Sequence, residues 1–177
     1  MQTFKQLHLF TRTTLLAGFL LIIYGYACRI TGIYFFWESR SVGWLVFIIG
    51  VIGWLIYRIR IKREEKSKAI PEKIGMWILI FVLMVQTILM LVLPFTDAYA
   101  AAKKYLMNDQ QLAAEIGSVN GFGVIPMGSI QITNNGGVES GTAEINLTVK
   151  GENKFKDIAI YVVKDAGSKE WVVADAE

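Results

Sequence analysis

Three long apolar runs fill the first half of the chain, and an alternating pattern fills much of the second. The first run begins near Thr13, is unbroken to Cys28 and resumes beyond Arg29 as far as Trp37. The second covers residues 42–61, with charge entering at Arg58, and the third covers 74–95 with no charge at all. A helix crosses a bilayer with about 20 mostly apolar residues, so the pattern predicts three transmembrane helices. The first reads as a span rather than a secretory leader. Its apolar region is long, and no small-x-small cleavage site precedes the next charge. From Asp97 the composition changes. Asp97-Ala-Tyr-Ala-Ala-Ala-Lys-Lys-Tyr-Leu-Met107 predicts an alanine-rich helix with Asp97 at its start. Residues 110–116 form a second helical piece, with Gly117 in the C′ position.

Beyond Gly117 the period becomes two. Ile130 and Ile132 alternate with polar neighbours, and Asn134-Asn-Gly-Gly137 is turn chemistry. Ala143, Ile145, Leu147 and Val149 alternate strictly with Thr142, Glu144, Asn146 and Thr148, which predicts a strand with one wet face. Residues 158–163 are apolar throughout, and Trp171 opens a last strand, where its ring is expected to pack in the core under the helix. The short turns between these strands require antiparallel neighbours. The expected architecture is therefore a three-helix membrane region, residues 1–95, followed by a small α+β domain, residues 96–177. That domain should hold a helix on a four-stranded antiparallel meander. Both parities of residues 158–163 are apolar, so the sheet has a second apolar face. It is covered by a partner, by a membrane surface, or by a helix from residues 118–127.

Composition sharpens this picture. Of 177 residues, 54% are hydrophobic and 19% charged, which excludes a disordered chain. One Cys (Cys28) and one His (His8) exclude an internal disulfide framework and any Cys/His metal or haem site built by one copy. The net charge of +3 hides a split: residues 1–96 carry +7 and residues 97–177 carry −4. Seven cations lie in residues 58–73, and Lys5 and Arg12 precede the first span. By the positive-inside rule the N-terminus and the 58–73 loop are cytoplasmic, the Glu38-Ser-Arg-Ser41 turn is outside, and the C-terminal domain is outside. The cations read as topogenic. Glu64, Glu65 and Glu72 dilute them, and no aromatic residues interleave as a nucleic-acid surface would require.

Within the spans, glycines repeat every seven residues: Gly18, Gly25 and Gly32 in the first, Gly43 and Gly50 in the second. Small residues let backbones approach closely in lipid, so a glycine seam between the two helices is expected. Arg29 is expected to snorkel to the outer headgroups or to pair with Glu38. Tyr34, Phe35, Phe36, Trp37 and Trp44 fit an interfacial aromatic belt.

Candidate chemistry is sparse. The outer domain has serines but no His or Cys to activate them. Glu115, Glu139 and Glu144 are the conceivable acid pairs, and Gly121-Phe-Gly123 lacks a following phosphate-loop lysine. Met76, Met84 and Met90 do not stack on one helix face. The reading is of a protein that is not an enzyme and holds no metal or cofactor. The candidate partner contact is Ala159, Tyr161 and Val163, the positions expected to point away from the helix, with Tyr161 as the anchor.

Several segments carry a family resemblance. They are the span followed directly by Asp97-Ala-Tyr-Ala-Ala-Ala-Lys-Lys-Tyr-Leu, then Leu112 to Ile116 with Gly117. Gly141-Thr-Ala-Glu-Ile-Asn-Leu-Thr-Val-Lys-Gly151, Ile158-Ala-Ile-Tyr-Val-Val-Lys and Glu170-Trp-Val-Val complete the set. Over about residues 95–177 the chain resembles the cytochrome c oxidase assembly factor one (Coa-one) family, whose domain is shared with the small presequence-translocase subunit. The resemblance implies a membrane-tethered, non-catalytic domain that binds other membrane proteins during assembly or translocation. Members commonly have one span, where this chain has three, and its first twelve residues form no mitochondrial targeting segment, so it reads as a bacterial relative. The expected role is assembly or stabilisation of a larger complex in the bacterial plasma membrane. The alternative is a membrane-bound immunity or regulatory protein that binds a toxin or transporter; an enzyme or transporter is the remaining class. The implied partners are the lipid bilayer and other membrane proteins, with no nucleic acid.

Overall fold

A computed structural model describes residues 7–176; Lys5, one of the two N-terminal cations, lies outside them. Three long helices come first: α1 (Leu9–Thr31), α2 (Ser39–Glu64) and α3 (Ile70–Val92). All three are long and apolar enough to cross a membrane, the third as far as Phe95. This is a membrane-spanning protein. A short 3-10 turn, Leu93–Phe95, leads into α4 (Asp97–Asn108) and α5 (Gln110–Ile116). Five strands follow: β1 (Val119–Phe122), β2 (Met127–Asn135), β3 (Val138–Gly151), β4 (Phe155–Lys164) and β5 (Val172–Ala176). By its contacts the chain divides into two compact units, Met1–Val85 and Gln86–Glu177.

In the first unit α1 and α2 form an antiparallel hairpin. The first helix stops at Thr31 instead of running to Trp37, because Gly32 adopts a left-handed conformation (φ 70°) and its N–H closes on the Cys28 carbonyl. The connector is therefore residues 32–38, and Ser39-Arg-Ser41, expected in the turn, is the first turn of α2. In α3 none of the described residues is buried except beyond its end, at Leu93.

The second unit is an α+β domain. Its sheet is antiparallel, ordered β1-β3-β4-β5, with β2 also pairing on β3. The expected meander is β2-β3-β4-β5, and β1 is a fifth strand beyond it. The fourteen-residue β3 accommodates two partners on one edge: β2 along Val138–Asn146 and β1 beside Val149–Gly151. Residues 118–127, considered as a helical cover, thus supply a strand. The β2–β3 hairpin closes through Gly136 and Gly137, both at positive φ (63° and 90°), as a two-residue primed turn demands. Helices α4 and α5 lie on one sheet face. Their Ala98, Tyr99, Ala102, Leu106, Leu112 and Ile116 form one core with Ile145, Leu147, Val149, Ile158, Ile160 and Val162. Leu93 joins this core from the 3-10 turn.

Candidate functional site

Among the described residues, α4 and α5 cover one face of the five-stranded sheet, and the strict alternation of β3 and β4 decides what the other face presents. In β4 the even positions Ile158, Ile160 and Val162 are buried under the helices. The odd positions therefore point the other way: Tyr161 is 42% exposed, and its neighbours on that face of the strand, Ala159 and Val163, are half-buried. Register supplies the surroundings. Tyr161 lies opposite Glu144 of β3 on one side and Asp175 of β5 on the other. Ala159 faces Asn146, and Val163 faces Thr142 and Val172. A shallow cleft of 250 Å³ opens here, lined by Glu144, Ala159, Ile160, Tyr161, Asp175 and Ala176. The irregularity between Tyr161 and Val162 in the β4–β5 pairing lies beside it. The site is an amphipathic ring between two carboxylates, on a small apolar base with a polar rim.

A second concavity, of 370 Å³, lies between α4 and β5. It is lined by Ala101, Lys104, Tyr105, Asn108, Asp109, Trp171, Val172 and Val173. Sequence reasoning missed it, because Trp171 reads as a core residue of the last strand. In the structure Trp171 precedes β5 and is half-buried, and its ring covers Gly141, where a Cβ would come within 2.7 Å of it. The available signal was Ala101 and Tyr105. They flank the Ala98–Ala102–Leu106 stripe of α4 at helical spacing and overhang the sheet's edge.

The carboxylates weighed for chemistry are not brought together. Glu115 on α5 accepts from Lys154 Nζ at 2.8 Å and Lys156 Nζ at 2.7 Å, and these two ammonium groups hold its carboxyl down to about 2. Glu139 at the hairpin accepts from Lys164 at 2.9 Å. Glu144 stands on the open face. Ser118 donates to Glu152, and Gly121 and Gly123 lie in or beside strand β1, where Gly123 N–H donates to the Thr148 carbonyl. Burial pushes the Tyr99 phenol above its ordinary value, and Lys103 sits over the Tyr99 and Phe122 rings. Among the described residues no group of three or more His, Cys, Asp or Glu side chains is placed to hold a metal.

The membrane hairpin brings four of the five predicted glycines together. A Cβ on Gly18 would lie 2.7 Å from Phe47 Cα, one on Gly25 2.8 Å from Arg40 Cα, one on Gly43 3.0 Å from the Gly18 carbonyl, and one on Gly50 2.8 Å from Leu15 N. Gly32 is the exception: nothing lies within 4 Å of its Cβ position, and its role is the helix stop described above. Gly53, outside the spacing of seven, extends the seam against Thr11. Above the seam, Arg29 donates to the carbonyls of Gly25 (2.8 Å) and Trp37 (3.1 Å) and stacks 4.9 Å over the Trp37 ring. Tyr24 donates to the Phe35 carbonyl at 2.9 Å. Arg29 thus fastens the connector to α1.

No family model matches the chain, and no curated protein or solved structure is significantly similar to it.

Proposed function

We propose that this chain is a membrane-anchored binding protein, non-catalytic, whose sheet domain docks on another membrane protein and helps assemble or stabilise a larger complex. The observation that carries the reading is the uncovered sheet face with Tyr161 at its centre. A large ring exposed on a small apolar base, rimmed by Glu144, Thr142 and Asp175, has the composition of a reversible protein interface. The resemblance of residues 95–177 to the Coa-one family supports the same role. The cation-rich segment 58–73, where α2 and α3 meet, supports a cytoplasmic N-terminus and α2–α3 junction with an extracytoplasmic sheet domain, in a bacterial plasma membrane.

The test is site-specific photocrosslinking in the native membrane, with p-benzoylphenylalanine replacing Tyr161 or, as a control, the exposed Asn135. A discrete adduct to one membrane protein from position 161, absent from position 135, is the expected result. Equal crosslinking from both positions, or none from 161 while the protein remains folded, would reject this face as the interface.

A further inference from the structure

The connection between β1 and β2 is Gly123-Val-Ile-Pro126, and it and the first two residues of β2, Met127 and Gly128, hold not one polar side chain. An aqueous turn in an antiparallel sheet is ordinarily built from Asn, Asp, Ser and Gly, as the Asn134-Asn-Gly-Gly137 turn of this same sheet is. Val124 at its tip is 78% exposed. Pro126 is fully buried, and with Met127 and Gly128 it lines a cavity of 210 Å³ whose other wall is Gln86, Leu89 and Met90 of α3.

That wall fixes the depth of the connection. Gln86 and Met90 precede Phe95, the end of the spanning stretch, by nine and five residues. At 1.5 Å per residue they lie roughly 13 and 8 Å inside that end. Half of a hydrocarbon core is about 15 Å. A segment packed beside Gln86 and Met90 is therefore level with acyl chains. On the same turns of α3, Ile88, Leu91 and Val92 are exposed and apolar, so the lipid-facing surface of the helix continues onto the connection. The backbone is compatible with that depth. Gly123 N–H is paired with the Thr148 carbonyl at 2.7 Å, and Pro126 has no N–H to satisfy. The amide oxygen of Gln86 is buried without a hydrogen-bond partner at this cavity, a group that stays dry only where solvent is excluded.

We infer that the 123–126 connection, with the start of β2 at Met127 and Gly128, is a membrane-dipping loop, inserted into the acyl region of the leaflet on the sheet domain's side. The domain is then held to the bilayer at two points, the end of α3 and this loop. Its occupant is lipid.

The full chain in vesicles of phosphatidylcholine and phosphatidylglycerol provides the test. In a Cys28→Ser background, Val124→Cys and Asn135→Cys are each labelled with the fluorophore NBD. The label at 124 should emit blue of the label at 135, be quenched several-fold more by acyl-chain doxyl lipids and be shielded from aqueous iodide. Iodide quenching at 124 equal to that at 135 would overturn the inference. Shielding at 124 from both quenchers would also overturn it, because the loop would then be covered by protein. If labelling at 124 lowers the melting temperature, the same readout from Ile125→Cys decides by the same criteria.

Discussion

Gly18 and Gly32 belong to one seven-residue repeat in α1, yet they do different work. Gly18 lets the α2 backbone come within contact distance, whereas Gly32 supplies a positive φ to end the helix. Periodicity reveals that residues share a face, but not whether a helix still exists when the repeat reaches them. The two roles separate experimentally. Gly18→Val places a branched side chain on Phe47 and should destabilise the hairpin by about 1–3 kcal/mol, the range for overpacking. It should also widen the α1–α2 distance read from spin labels on the two helices. Gly32→Ala should cost about 1–2 kcal/mol from the left-handed backbone alone and leave that distance unchanged. Glu115 gives a second residue-scale expectation. Its carboxyl is held at about 2 by Lys154 and Lys156, below its unfolded value of about 4.3. The native state therefore binds fewer protons in that interval. The contribution is complete above pH ~4.3 and is lost as pH falls through about 2. Glu115→Gln should lower the melting temperature of the full protein in detergent at pH 7, and the gap from wild type should close by pH 2. Because the pair is solvent-exposed, added salt should shrink the gap at pH 7. A gap independent of pH would show that the side chain acts through packing instead.

At the scale of elements, polar punctuation and period two were the readable signals. Asn134-Asn-Gly-Gly137 announced its hairpin, and the strict alternation of residues 142–149 assigned those eight side chains of β3 to the correct faces. The helix caps were partly legible. Asp97 reads as either an N-cap or an acid opposing the helix dipole; the cap is Thr96, whose hydroxyl accepts from Tyr99 N–H, and Asp97 occupies the first turn, where it opposes the dipole. Asp109 caps α5, accepting from the N–H groups of Gln111 and Leu112. Asp109→Ala should cost about 1 kcal/mol, with Asp109→Ser restoring most of it in thermal melts. Strand β1 was not legible, because Val-Asn-Gly-Phe is short, contains a glycine and alternates weakly. It exists through its pairing with the far end of β3, a long-range contact that no local pattern encodes. Trp171 was illegible for a related reason. Its neighbours are apolar, but β5 is the edge of the sheet, where half of a large ring remains at the rim. Trp171→Ala should therefore destabilise by less than the roughly 3–5 kcal/mol typical of a fully buried aromatic. Urea unfolding of the detergent-solubilised protein measures this, and a loss within that range would place the ring in the core.

For the whole molecule, the apolar runs and the split of charge carried most of what was readable: three spans, then an α+β domain. Where one compact unit gives way to the other was not readable. Hydropathy marks the end of the spanning stretch at Phe95, whereas contacts assign Gln86 onward to the sheet domain, since Leu93 enters its core and Pro126–Gly128 lie along the last turns of α3. The candidate interface was legible as a parity, because β4 is apolar on both faces. Its acidic setting was not, because Asp175 meets Tyr161 only through the β4–β5 register. Orientation in the bilayer rests on residues 58–73, expected as a loop but helical except at 65–69, where α2 and α3 are joined. Arg58 and Lys62 pair with Glu72, and Arg60 pairs with Glu64. Residues 58–73, which take in the end of α2, the short loop 65–69 and the start of α3, nevertheless carry seven cations against three acids, an excess at the ends of two spans that disfavours transfer across the membrane. In a Cys28→Ser background, Ser67→Cys and Asn135→Cys should consequently react with a membrane-impermeant maleimide from opposite sides. Intact cells should label position 135 alone, and permeabilised cells should label both. Labelling of position 67 in intact cells would invert the topology and move the Tyr161 face to the cytoplasm, where its partner would have to be sought instead.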